Sequence, residues 1–168
     1  MKLAIVVLFP VMLLAESPSH SNQTYTCDAG YSQRLCDEEM AVVRTLLSRY
    51  RADLVGDWTW VLVRSEDWKP LMYRLGMNPD SPALTDLSRR RTYFDEALFV
   101  KQTKRSAELL RYWQMPLDRL AEMAATHEIG HAMCSDRSEK KTYQRALLLQ
   151  KGEIPSCDSD GVRVAAAD

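Results

Sequence analysis

Apolar residues recur at helical spacing in several parts of the chain. In residues 37–54 they follow a 3.6-residue period, which predicts an amphipathic helix with acidic residues at its N-terminus. Residues 103–113 and 117–134 continue this pattern, and Pro116 between them suits the start of the second helix. A further helix is predicted over residues 137–151. The pattern therefore predicts four long helices, three of them in the C-terminal half of the chain.

Alternating apolar and polar positions predict strands between these helices. Residues 58–64 are aromatic and β-branched, with two tryptophans and a leucine on one face and two valines on the other. We expect this strand to be buried and its tryptophans to lie in the core. Residues 83–87 and 91–100 are two further strand candidates. The proline-containing stretch 65–82 predicts a loop with one short helix around residues 71–75.

The order of these elements predicts an α+β fold. We expect an N-terminal helix, a small twisted sheet of about three strands, the helix 117–134 packed against that sheet, and a last helix beyond it. With 168 residues, 46% of them hydrophobic and 27% charged, the composition is that of one globular domain. The net charge of −1 gives no sign of a nucleic-acid surface. We expect a monomer.

The two ends of the chain differ from this globular part. Met1 and Lys2 followed by the apolar run 3–15 are typical of a signal peptide, with cleavage after Ala15. Residues 16–26 are polar and predict a flexible leader, and residues 158–168 predict a disordered tail. The domain is therefore expected over residues 27–157. An apolar run of this length is too short to span a membrane, so we expect no stable membrane anchor.

Export of the chain would make disulfides permissible. The four cysteines allow three pairings, and proximity favours Cys27 with Cys36, which leaves Cys134 with Cys157. In a second interpretation Cys134 is a zinc thiolate, because it lies three residues after a histidine on the same predicted helix. These features predict a secreted or periplasmic protein.

The strongest chemical signal is the sequence His127-Glu128-Ile129-Gly130-His131 on the predicted helix 117–134. Residues four positions apart lie about 40° apart around a helix axis, so both imidazoles project from one face. Neutral imidazoles bind zinc, and a catalytic zinc site has three protein ligands and one open position. Glu128 would act as the general base on a water molecule. In the alternative interpretation the histidines only form hydrogen bonds inside the core.

This HExxH motif, with its uncharged flanks, resembles that of the zincin metallopeptidases. The resemblance implies Zn²⁺ as cofactor, His127 and His131 as ligands, Glu128 as catalytic base and a peptide or protein substrate. The metzincin extension is not matched, because Cys134 stands where that subgroup has glycine and Arg137 where it has the third ligand. The rival function is a secreted binding or structural protein whose metal site is non-catalytic or absent.

The third ligand is less clear from the sequence. Gluzincins take a glutamate from a following helix, which points to Glu139 as ligand and to Tyr143, four residues further on, as a donor to the oxyanion. Alternatively Glu139 forms a capping box with Asp136 and binds no metal. Glu153 and Asp136 are the other ligand candidates, in that order.

In zincins an edge strand above the metal pairs with extended substrate. The segment 92–100 occupies the corresponding place in the order of elements, although Asp95 and Glu96 interrupt its apolar pattern. In the alternative interpretation these two acidic residues form a turn.

Overall fold

The computed structural model describes residues 22–157, which contain a four-stranded mixed sheet and five α-helices. The strands are β1 (Gln23–Cys27), β2 (Trp58–Val63), β3 (Ala83–Asp86) and β4 (Arg91–Asp95). The helices are α1 (Gln33–Arg49), α2 (Ser65–Arg74), α3 (Lys104–Trp113), α4 (Leu117–Cys134) and α5 (Glu139–Gln150), with 3₁₀ turns at Ala52–Leu54 and Glu96–Leu98. The predicted α+β class is confirmed. The predicted signal peptide 1–15, the leader up to residue 21 and the tail 158–168 lie outside the described residues.

The strands lie in the order β1-β2-β4-β3, with β1, β2 and β4 parallel and β3 antiparallel at one edge. The predicted alternation in β2 is confirmed: Trp58, Trp60 and Leu62 belong to the core cluster that includes α4. Val61 and Val63 belong to a second cluster with Trp68 and Met72 of α2. The sheet thus separates two apolar layers, and α4 lies in the larger one.

The C-terminal part of the predicted flexible leader is a strand, so that prediction is wrong for residues 23–26. β1 pairs in parallel with β2 from Gln23 opposite Trp58 to Cys27 opposite Leu62. The Gln23 side chain donates to the Val55 carbonyl and accepts from the Trp60 indole. An edge strand with one exposed face can be polar, which explains why its composition is that of a linker.

Two helices differ from their predicted bounds. α1 begins at Gln33, where the Ser32 hydroxyl accepts from the Leu35 amide, and it ends at Arg49 instead of residue 54.

α2 occupies Ser65–Arg74, although Pro70 lies inside it. Trp68 holds α2 in place because its side chain is fully buried and its indole N–H donates to the Ser81 carbonyl at 2.8 Å. Tertiary burial therefore outweighs the effect of the proline. The predicted loop is wrong for residues 65–74, whereas residues 75–82 are free of helix and strand, as predicted.

The predicted strand 91–100 is too long, and it is not the edge strand. β4 lies between β2 and β3 and ends at Asp95, where the chain enters the 3₁₀ turn Glu96–Leu98. The Asp95 carboxylate caps this turn by accepting from the Ala97 amide at 2.9 Å. The edge position next to α4 belongs to β3. The alternative interpretation, a turn at Asp95 and Glu96, is the one that the structure has.

Both favoured disulfides are present, Cys27–Cys36 and Cys134–Cys157. The interpretation of Cys134 as a zinc thiolate is therefore wrong. Two disulfides in a chain of this size are typical of an oxidising, extracellular environment. Among the helices within residues 22–157, none is long and apolar enough to cross a membrane.

Candidate metal site

Helix α4 carries the HExxH residues through the core of the domain. It has the predicted bounds, Leu117–Cys134, and its Leu120, Ala125 and Ile129 side chains are fully buried. Gly130 lies against α5: a Cβ atom at this position would be 3.2 Å from the Thr142 carbonyl oxygen and 3.3 Å from Arg145 Cβ. A glycine between the two histidines therefore lets α5 approach α4 closely.

Three possible metal ligands converge where α4 meets the start of α5. His127 Nε2 and His131 Nε2 are 3.1 Å apart. Glu139 Oε2 lies 3.1 Å from His127 Nε2, and Glu139 Oε1 lies 3.5 Å from His131 Nε2. A tetrahedral zinc ion bound at about 2.0–2.1 Å holds neighbouring ligand atoms roughly 3.3–3.4 Å apart. The two Nε2 atoms are close to that spacing, and with one carboxylate oxygen of Glu139 all three ligand atoms lie within 4.8 Å of one another. Within residues 22–157 this is the one group of at least three candidate ligands.

A sharp turn brings Glu139 to the histidines across only seven residues. Ser135 ends α4 in the left-handed conformation (φ 46°), and Ser138 caps α5 by accepting from the Lys141 amide. Glu139 is thus the first residue of α5, and its carboxylate faces the histidines. The capping-box interpretation of Glu139 is wrong, because the cap is Ser138.

The two other ligand candidates are not part of this cluster. The Asp136 carboxylate accepts from the Ser138 amide at 2.9 Å and from Arg145 at 3.0 Å. Glu153 follows the C-terminal end of α5, a helix of 12 residues. At a rise of 1.5 Å per residue, the C-terminal end of α5 next to Glu153 is roughly 18 Å from the N-terminal end that carries Glu139. Glu139 is therefore the carboxylate that the fold brings to the histidines.

Each histidine is in a state suited to binding a cation. His131 Nδ1 lies 2.6 Å from the Asp136 carbonyl oxygen and 3.1 Å from the Thr142 hydroxyl. Because a carbonyl only accepts, this contact favours the neutral tautomer that has its proton on Nδ1 and its Nε2 lone pair towards the cluster. Burial, followed by repulsion from His131 when that ring is protonated, lowers the pKa of His127 against the opposing effect of Glu139. The neutral imidazole, which is the ligating form, is thereby favoured.

Glu128 lies beside this cluster and is buried, with 6% of its surface exposed. Burial raises the pKa of Glu128 to about 7, opposed by hydrogen bonding from the Thr85 hydroxyl and by the charge of His131. Thr85 comes from the edge strand β3, and its hydroxyl is 2.8 Å from that of Thr92. A carboxyl group with such a pKa can take up and release a proton near neutral pH. No sequence pattern indicates Thr85 as a site residue, because its neighbours depend on the order of the strands.

A cleft of about 560 Å³ runs past these residues. Its lining includes strand β3 with the following Leu87, the motif residues His127, Glu128 and His131, and the two residues Arg137 and Glu139. Met72, Leu75 and Met77 form an apolar end of the cleft. Tyr143 is not among the lining residues and is 57% exposed. The structure therefore does not bring Tyr143 to the site as an oxyanion donor. Arg137, which the motif comparison only used to exclude metzincins, lies in the cleft instead.

The chain was compared with protein-family models, with curated proteins and with solved structures, and none of them matches it. The functional interpretation therefore depends on the residues and geometry of the site.

Proposed function

We propose that this chain is a small zinc-dependent peptidase, in which His127, His131 and Glu139 hold the ion and Glu128 acts as general base. The observation that carries this proposal is the spacing of the two Nε2 atoms and the Glu139 carboxylate, 3.1–3.5 Å apart at the side of an open cleft. Glu128 adjoins this cluster, which supports hydrolysis over simple metal storage.

In the proposed reaction, the zinc ion and Glu128 have separate roles. A zinc ion with three protein ligands lowers the pKa of a water molecule to about 7 and polarises a carbonyl group. Glu128 takes the proton from the water and later gives it to the leaving amine. The buried position of Glu128 beside the ligand cluster supports this role, because the charge of a bound cation would lower its raised pKa and favour the carboxylate that accepts the proton.

The proposed substrate is an extended peptide or protein segment. β3 is an edge strand that lines the cleft, and an edge strand presents unpaired backbone groups that an added strand can satisfy. The apolar end with Met72, Leu75 and Met77 suits a large apolar side chain of the substrate. The disulfides and the N-terminal apolar run support a secreted or periplasmic protein.

The test is hydrolysis of a mixed library of unstructured peptides by the zinc-loaded protein. We expect cleavage that a chelator abolishes and added zinc restores. Glu128→Gln should keep zinc and lose activity by about 10²–10⁴-fold, the usual contribution of a general base. Glu38→Gln, which changes an exposed glutamate on α1, is the matched control and should retain full activity. An active Glu128→Gln variant would contradict the mechanism. A wild-type protein that holds zinc but cleaves no peptide would favour the binding-protein function.

A further inference from the structure

One side chain near the site is unusual for its surroundings. Arg145 of α5 is 2% exposed, and its Nη2 atom donates to the Asp136 carboxylate at 3.0 Å. Its Nε and Nη1 atoms are buried without a hydrogen-bond partner within residues 22–157. Burying unpaired donors opposes folding, and an apolar residue of similar volume would fill such a position at lower cost. Stability alone therefore does not account for an arginine here.

The partner of Arg145 connects it to a proposed zinc ligand. Asp136 uses one carboxylate oxygen for Arg145 and the other for the Ser138 amide, at 2.9 Å. Its backbone carbonyl accepts from His131 Nδ1 at 2.6 Å. Asp136 thus connects the buried guanidinium to the ring of His131 and to the residue that caps α5.

The packing of the two helices fixes Arg145 relative to this turn. Its Cβ atom would be 3.3 Å from a Cβ at Gly130, the residue directly before His131. Thr142, three residues earlier on α5, places its hydroxyl 3.1 Å from His131 Nδ1. The base of the Arg145 side chain therefore lies against α4, while its guanidinium reaches the turn that connects the two helices.

We propose that Arg145 is a positioning residue of the zinc site. Through Asp136 it holds the carbonyl that orients the His131 ring and the turn that delivers Glu139. Arg145 does not bind the ion or the substrate. This inference depends on the proposed zinc site and adds to it the network that keeps two ligands in place. Partners of this kind in metalloproteins typically contribute about 10–100-fold in metal affinity.

The test is the zinc dissociation constant, measured by competition with a chromophoric chelator, together with urea unfolding of the zinc-free protein. Arg145→Met should weaken zinc binding by about 10–100-fold, whereas Arg145→Lys, which keeps the charge beside Asp136, should stay within about threefold of wild type. Asp136→Asn should weaken binding, and the double variant with Arg145→Met should be no weaker than the more affected single one. The Asp136 carboxylate is partly exposed and keeps the Ser138 amide as a donor, so the unfolding free energy of zinc-free Arg145→Met should stay close to that of wild type.

Arg34→Met is the matched control, because it removes an arginine that pairs with Glu38 at 2.8 Å on the exposed face of α1. It should leave the zinc affinity unchanged. In addition, the cobalt-substituted Arg145→Met protein should show weaker visible bands than wild type, since these bands report ligand geometry. Should Arg145→Met not fold, the Asp136→Asn and Arg145→Lys variants carry the test alone.

The outcomes separate this inference from the proposed function. Wild-type zinc affinity in Arg145→Met or in Asp136→Asn would overturn the positioning role while leaving the zinc site intact. A loss in Arg145→Met that is matched by an equal loss of zinc-free stability would also overturn it, because the role would then be packing. A wild-type protein that binds no zinc would overturn both proposals.

Discussion

The buried ion pair between Asp95 and Arg105 allows a quantitative test of the fold. Arg105 Nε donates to the Asp95 carboxylate at 2.8 Å, and the two side chains are 7% and 0% exposed. Arg105→Met would fill much of the same volume but leave Asp95 buried without its cation. Removing one partner of a buried pair typically costs about 3–5 kcal/mol. Asp95 retains the Ala97 amide as a donor, so we expect a value near the lower end.

The loss of stability should depend on pH. Burial raises the pKa of Asp95, and the Arg105 hydrogen bond opposes that effect. Without Arg105 the folded-state pKa rises further above the unfolded value, so the folded variant binds a proton more readily than the unfolded chain. Its unfolding free energy therefore increases relative to wild type as the pH falls through the raised pKa. The deficit should be largest at neutral pH and become smaller as the pH falls through this raised pKa.

The assay is urea unfolding with both disulfides intact. A deficit of about 3 kcal/mol, with a denaturant slope of about 1–3 kcal/mol/M, shifts the midpoint by roughly 1–3 M. Zinc affinity should not change, because neither residue lines the cleft. Arg34→Met, in an exposed pair, should lose less than about 1 kcal/mol. A deficit below about 1 kcal/mol at neutral pH, or one that does not become smaller under acidic conditions, would refute the reasoning.

Two further changes test how α5 and the C-terminal segment are held. Gly130→Val should destabilise the protein by about 1–3 kcal/mol and weaken zinc binding, because the added Cβ would press on the Thr142 carbonyl and displace α5. An unchanged melting temperature together with an unchanged zinc affinity would contradict this prediction. Replacing both Cys134 and Cys157 by serine removes a crosslink between residues 23 positions apart and should cost about 3 kcal/mol in thermal or urea unfolding; a loss below about 1 kcal/mol would show that the crosslink constrains little.

The parts of the fold that could be predicted are those that local pattern determines. The bounds of α4 follow from its apolar period and from Pro116. The disulfides could be predicted by pairing the cysteines that are nearest in sequence, Cys27 and Cys36. β1 and α2 could not be predicted in the same way. β1 is polar and depends on contacts with β2, while the burial of Trp68 maintains a helix through Pro70.

The candidate site shows the same division. The spacing of His127 and His131 needs only a helix, so the sequence indicates both. The choice of Glu139 depends on a left-handed turn at Ser135, and the edge position of β3 depends on strand order. His131 Nδ1 forms a hydrogen bond with the Asp136 carbonyl, which is a backbone group and therefore has no sequence signature. Tyr143 follows Glu139 at helical spacing, but this spacing does not determine whether the Tyr143 side chain reaches the cleft.

Zinc content is the measurement that tests the central claim most directly. The protein is produced with its disulfides and without a histidine tag, dialysed, and its zinc per chain is determined. We predict about one equivalent, as expected for a single three-ligand site, with large losses in His127→Ala and Glu139→Ala and none in Glu153→Ala. Folded protein that remains empty after zinc is added back would contradict the account.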